Sequence, residues 1–175
     1  PNLFRRLFGE GALTASYLPV LSAALERDRR QAWQLASVML SWVTVLLAAL
    51  VGLGELLFLA AWWLWGDLPG MTLLLGLSAT LLPYLLFICL AAQLSATLHA
   101  MRHFAMPALA PVVLNLCWLA AAWWICPYLK PNQEAQAYTS AGAVLVAGVL
   151  QAVVQVPVLL RMGFRFHYDW LAARE

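Results

Sequence analysis

Charge is what this sequence has least of. Only 10% of its 175 residues are Asp, Glu, Lys or Arg, against about a quarter in a soluble domain, so lipid must solvate much of the chain. A net charge of +2, with no basic cluster interleaved with aromatics, excludes nucleic acid as a partner. Cysteine is also scarce. Cys89, Cys117 and Cys126 stand singly in apolar runs without CxxC spacing or a neighbouring histidine. That argues against a zinc site or disulfide framework, and the thiols read as small hydrophobes. GxSxG, HExxH and a glycine-rich phosphate loop are missing, and no paired carboxylates suggest acid–base work. Neither an enzyme nor a cofactor is expected. No internal repeat and no long linker divide the chain, so residues 1–175 are expected to form a single transmembrane helical domain. Because the first residue is Pro1 and no signal peptide precedes it, the expectation is an internal fragment of a longer membrane protein.

Apolar surface is what the chain has in excess: 64% of residues are hydrophobic and the mean hydropathy is +0.81. A helix crosses the hydrocarbon with about 20 apolar residues at ~1.5 Å each. Five stretches qualify or nearly do: 3–25, 31–65, 71–101, 106–128 and 135–162. None alternates polar and apolar positions as a barrel strand would. The expected fold class is therefore all-α, a polytopic transmembrane bundle of five spans. Cations concentrate in ERDRR (26–30), MRHF around Arg102 and RMGFRF around Arg161 and Arg165, whereas the alternating connections hold only Lys130. The positive-inside rule puts the first group at the cytoplasm. Trp62, Trp63, Trp65, Trp123 and Trp124 then fall at the outer interface, where amphipathic indoles settle. Pro83, Pro111 and Pro157 lie within spans, where each removes a backbone donor and is expected to kink its helix.

Polar groups inside the spans need a reason, since each is costly in hydrocarbon. Arg5, Arg6 and Glu10 fall within six positions at the start of the first span. Arg6 and Glu10 are four apart and share a helical face, while Arg5 points about 100° away. Two readings fit: an ion pair at the outer interface with Arg5 snorkelling, or an anion site in a wet cavity, where guanidinium grips phosphate bidentately. Gly9 and Gly11 suit close helix approach or local unwinding. Asn115, Gln151, Gln155, Gln93 and Ser95 read as interhelical hydrogen-bonding groups, and Gly142, Ala143, Ala147 and Gly148 as a packing face. Glu55 counts out to the outer interface. His99 and His103 flank Arg102 at the inner surface, solvated or against lipid headgroups.

PNLFRRLFGEGALTASYLPVL (1–21) resembles the second-helix signature of the MurJ/MviN lipid II flippase family. LPYLLFICLAAQLSATLHAMRHFAMPALAPVVLNL (82–116) is similar to that family's fourth and fifth helices, and GVLQAVVQVPVLLRMGFRF (148–166) to its sixth. The segments come in the family's order and spacing. The resemblance places the chain in the multidrug/oligosaccharidyl-lipid/polysaccharide exporter superfamily and implies helices two to six of the amino-terminal lobe of a two-lobe transporter. It implies translocation of the undecaprenyl-pyrophosphate-linked peptidoglycan precursor across the bacterial inner membrane by alternating access. Arg5 and Arg6 match the family's arginine pair and would receive the pyrophosphate. Glu10 matches its glutamate and would orient them or respond to a coupling ion. Asn2 and Asn115 match family asparagines, and Gln151 and Gln155 would add polar lining. The chain departs from the pattern at Gly9, where the family has alanine, and at His99, where it has asparagine. The alternatives are a polysaccharide-unit exporter or drug/cation antiporter of the same superfamily, and a membrane scaffold that transports nothing.

Overall fold

The computed structural model describes residues 12–66 and 68–164, with side chains from residue 16 onward. Among the described residues six α-helices follow in order: α1 Ala12–Arg27, α2 Arg29–Trp65, α3 Met71–Ala100, α4 Ala105–Ala120, α5 Gln133–Val153 and α6 Val156–Arg161. No strand occurs among the described residues. By length and hydropathy, four helical stretches among the described residues can cross a membrane: Arg29–Trp65, Met71–Ala100, Ala105–Leu129 and Gln133–Arg161.

Local chemistry explains where these helices start and stop. Asp28 caps α2, its carboxylate accepting from the Arg30 amide at 2.8 Å. At ~1.5 Å per residue the 37 residues of α2 extend roughly 55 Å, well beyond the ~30 Å hydrocarbon layer. Asn132 caps α5 by accepting from the Ala135 amide at 3.0 Å, and Glu134 adds negative charge to the first turn. The end of α3 is a Schellman turn: the His103 amide donates to Leu98 O and the Arg102 amide to His99 O, both at 2.9 Å. Arg102 takes the left-handed conformation there (φ 58°), a place that normally favours glycine.

The prolines behave differently from one another. Pro83 and Pro111 stay inside unbroken helices. Pro157 instead coincides with an interruption at 154–155, so the stretch expected as one span over 135–162 is divided into α5 and α6. Pro127 also reshapes its surroundings. Past Ala120 the helix widens into a π turn, Ala121–Ile125, and then tightens into a 3-10 turn, Cys126–Leu129. Without an amide on Pro127 the regular ladder cannot continue, and the Cys126 amide reaches back five residues to Ala121 O.

Helix α3 is the hub, packing on α1, α2, α4 and, most extensively, α5. Its approach to α5 is set by glycines. A Cβ on Gly148 would lie 2.7 Å from Tyr84 Cδ2, and one on Gly76 would strike the Tyr138 hydroxyl. Ala147 and Gly148 are buried, as a packing face requires, but nothing lies within 4 Å of a Cβ on Gly142. Two apolar clusters result. Near the basic loops, Tyr17, Leu21, Trp33, Leu94, Leu98, Leu159 and Phe164 pack together. Further along, Val43, Leu47, Tyr84, Leu85, Ile88 and Cys89 form the second. The far half of α2 presents Leu53, Leu56, Leu57, Leu59 and Trp63 outward, an arrangement stable only against lipid or other apolar surface.

Tertiary contacts also gather the basic loops at one end. Arg29 Nη2 donates to Met162 O at 2.9 Å, and Leu25, Arg29, Ala100, Met101 and Arg102 line one crevice. Exposed Trp62, Trp63, Trp65, Trp123 and Trp124 occupy the distal ends of α2 and the α4 extension. Charge and indole placement thus assign the same sidedness.

Candidate functional site

Arg5, Arg6, Glu10 and Asn2 lie outside the described residues. Of the remaining candidates, Gln151 and Gln155 come together inside the bundle, whereas Asn115 is exposed on α4. What surrounds the two glutamines is a polar seam joining α1, α3 and the α5–α6 break. Counting ~1.5 Å per residue, Tyr17 is roughly 15 Å from Arg27 and Gln93 roughly 14 Å from Arg102, so the seam occupies the inner half of the bilayer.

The α1 side of the seam is one directed chain. Thr97 Oγ1 donates its single proton to Gln93 O at 3.0 Å. It can therefore only accept from Tyr17, whose hydroxyl is 3.0 Å away. Tyr17 is buried in the same apolar cluster as Leu21, Leu94 and Leu98, and its hydroxyl meets α3 at Thr97.

Gln155 anchors the other side, and all of its donors are used. Its Nε2 donates to Ala91 O at 3.0 Å and to Gln151 O at 2.9 Å, while Oε1 accepts from Ser95 Oγ at 2.9 Å. The bond to Gln151 has a local cause. At the helix interruption the Gln155 amide turns to Ala152 O at 3.3 Å, abandoning the carbonyl four residues back. The side chain of the same residue takes that carbonyl. Gln155 therefore both closes the break and ties it to α3.

Two neighbours are left incomplete. Gln93 Nε2, a donor, and Gln151 Oε1, an acceptor, are buried without a hydrogen-bond partner among the described residues. Their side chains are only 4% and 2% exposed, and an unmade bond in such a place costs about 1–3 kcal/mol. The seam is thus a neutral set of hydroxyls and amides, rigid around Gln155 and unsatisfied around Gln93 and Gln151. It can lock helices or take up a small polar guest, but no group of His, Cys, Asp and Glu in the described residues could hold a metal ion. Glu55 stands apart on the far half of α2 with Oε1 buried and unpartnered.

Sequence reasoning anticipated interhelical bonding by Gln155 and Ser95. It missed Tyr17 and Thr97. A tyrosine hydroxyl in mid-span was the available signal, since it needs a partner once buried.

Comparison with known proteins agrees with this architecture. The family described as lipid II flippase MurJ matches residues 1–175. The chain is 33% identical over 168 residues to the lipid II flippase MurJ of Burkholderia cenocepacia, covering 93% of this chain and 32% of that protein. It is 33% identical over 182 residues to the probable lipid II flippase MurJ of Rhizobium tropici, covering 95% of this chain and 33% of that protein. For the protein of the same description from Vibrio cholerae the figures are 32% over 186 residues, 97% of this chain and 34% of the relative. The chain therefore spans about a third of the length of these curated relatives. With long apolar helices throughout and a family match along its whole length, this multi-pass membrane chain belongs to the lipid II flippase MurJ family.

Proposed function

We propose that this chain forms helices two to six of the amino-terminal lobe of a flippase. The whole protein would move lipid II, the undecaprenyl-pyrophosphate-linked peptidoglycan precursor, across the bacterial inner membrane by alternating access. The task is transport, not catalysis. The uninterrupted family match over residues 1–175 carries this reading.

Arg5 and Arg6 are the groups assigned to the pyrophosphate, because paired guanidiniums offer the bidentate donors that phosphate oxygens accept. Glu10 would orient the arginines or answer a coupling ion. Polar lining would come from the seam around Gln151 and Gln155, with Asn2 and Asn115 as further polar positions.

The test is complementation by the full-length protein in a strain depleted of its own flippase. Arg5→Ala and Arg6→Ala should each abolish growth while membrane expression persists. Normal growth of both variants would reject the pyrophosphate role and favour a scaffold that transports nothing.

A further inference from the structure

We propose that the crevice at the basic end of the bundle binds the phosphate group of an anionic glycerophospholipid through Arg29 and Arg102. It is an open cavity of about 270 Å³, formed where the α1–α2 junction meets the end of α3. Its lining is amphipathic: two guanidiniums beside Leu25, Ala100 and Met101. That combination suits a lipid at the level where headgroup gives way to acyl chain. Basic pockets between membrane helices on the cytoplasmic side are the recurrent sites for such headgroups.

Both arginines are positioned. Arg29 spends one donor on Met162 O at 2.9 Å and lies 6.0 Å over the Trp33 ring, which leaves the rest of its fork available. Arg102 occupies the left-handed position of the Schellman turn, which glycine would fill without strain. The same turn occupies the carbonyls of Leu98 and His99, removing bare acceptors that would oppose an anion. Neutralisation from within is also lacking. Asp28 is engaged as the α2 cap, and among the described residues no carboxylate pairs with Arg29 or Arg102. Among the described residues, five arginines (27, 29, 30, 102 and 161) stand at this end, with Glu26 and Asp28 as the carboxylates beside them. The field there attracts anions, and the inner leaflet supplies them.

The experiment uses the full-length protein in mild detergent, with retained lipid counted by native mass spectrometry. Phosphatidylglycerol and phosphatidylcholine of matched acyl chains are the probes. The wild type should retain phosphatidylglycerol in preference to phosphatidylcholine. Arg102→Gly and Arg29→Gln should each lower that retention by about tenfold, the worth of a charge-assisted bond. Lys130→Gln, at the opposite end, should leave it unchanged. Arg102→Gly is decisive because the backbone there suits glycine, so a loss of lipid cannot be ascribed to misfolding. Undiminished retention in that variant, or equal retention of the two lipids by the wild type, overturns the proposal. Displacement of phosphatidylglycerol by an equal concentration of farnesyl pyrophosphate would assign the crevice to a lipid-linked pyrophosphate and overturn it equally.

Discussion

The side-chain amide of Gln155 donates to the backbone carbonyl of Gln151 at 2.9 Å, taking the acceptor that its own backbone amide has given up. Pro157 makes such an interruption tolerable, but the glutamine makes it specific. The same Nε2 reaches Ala91 O on α3, and Ser95 donates to the other end of the amide. A helix break and an interhelical tie are thus one feature.

Gln155→Ala should therefore destabilise the protein by about 2 kcal/mol, since three bonds at the ~0.6 kcal/mol typical within membranes are lost and a cavity is added. Denaturation of the full-length protein in detergent measures this. Gln155→Glu is nearly isosteric but offers at most one donor, when protonated, for the two carbonyls of Ala91 and Gln151, and should cost at least as much. An unchanged melting temperature in both variants would mean that the tie contributes nothing.

Tyr17 and Thr97 should behave as a coupled pair. Tyr17→Phe and Thr97→Val each remove one end of the 3.0 Å bond, and each should cost up to about 1 kcal/mol. The double variant should cost less than the two single changes together, with a coupling of about 0.5 kcal/mol or more. Strict additivity would show that the hydroxyls stabilise the bundle independently.

Two glycines on one helix should give opposite results. Gly148→Ala puts a Cβ 2.7 Å from Tyr84 Cδ2 and should destabilise by about 1–3 kcal/mol through overpacking at the α3–α5 contact. Gly142→Ala meets nothing within 4 Å and should be neutral or stabilising by up to ~1 kcal/mol from helix propensity. Thermal melts of the two proteins make the comparison directly.

Gln93→Met retains length while removing the buried, unpartnered Nε2. Its expected effect is a gain of up to about 1 kcal/mol in stability, because an unmet donor costs more than the apolar replacement. A marked loss would show that the amide is satisfied by water or by a polar guest, and would mark the seam as hydrated.

At the pyrophosphate motif, lysine separates charge from geometry. Arg5→Lys and Arg6→Lys keep a cation but lose the planar fork, so complementation should be partial. Full recovery would assign the role to charge alone.

Much of the architecture was legible along the chain. Long apolar runs, the three arginine-bearing loops and the tryptophans at the opposite ends give spans and sidedness, because transfer into lipid is decided residue by residue over a fixed ~30 Å thickness. Interruptions were less legible. Pro83, Pro111 and Pro157 look alike in sequence, yet only the last sits at a break, where Gln155 satisfies a carbonyl that is freed. The site was legible in part. Gln151 and Gln155 stood out as polar residues in apolar surroundings, but a donor's partner is not written beside it.

The sequence by itself determined that this is a membrane bundle, which end carries the positive charge, and that its arginine-containing motif and helical segments belong to one family. Tertiary structure alone decided that Tyr17 meets Thr97 eighty residues away, that Gln155 rather than Gln151 is fully bonded, and that Gly148 rather than Gly142 admits a neighbour. The reason is physical. Hydropathy and helical rise act along one segment at a time, whereas hydrogen bonds and close contacts depend on how each helix is rotated and shifted against the next.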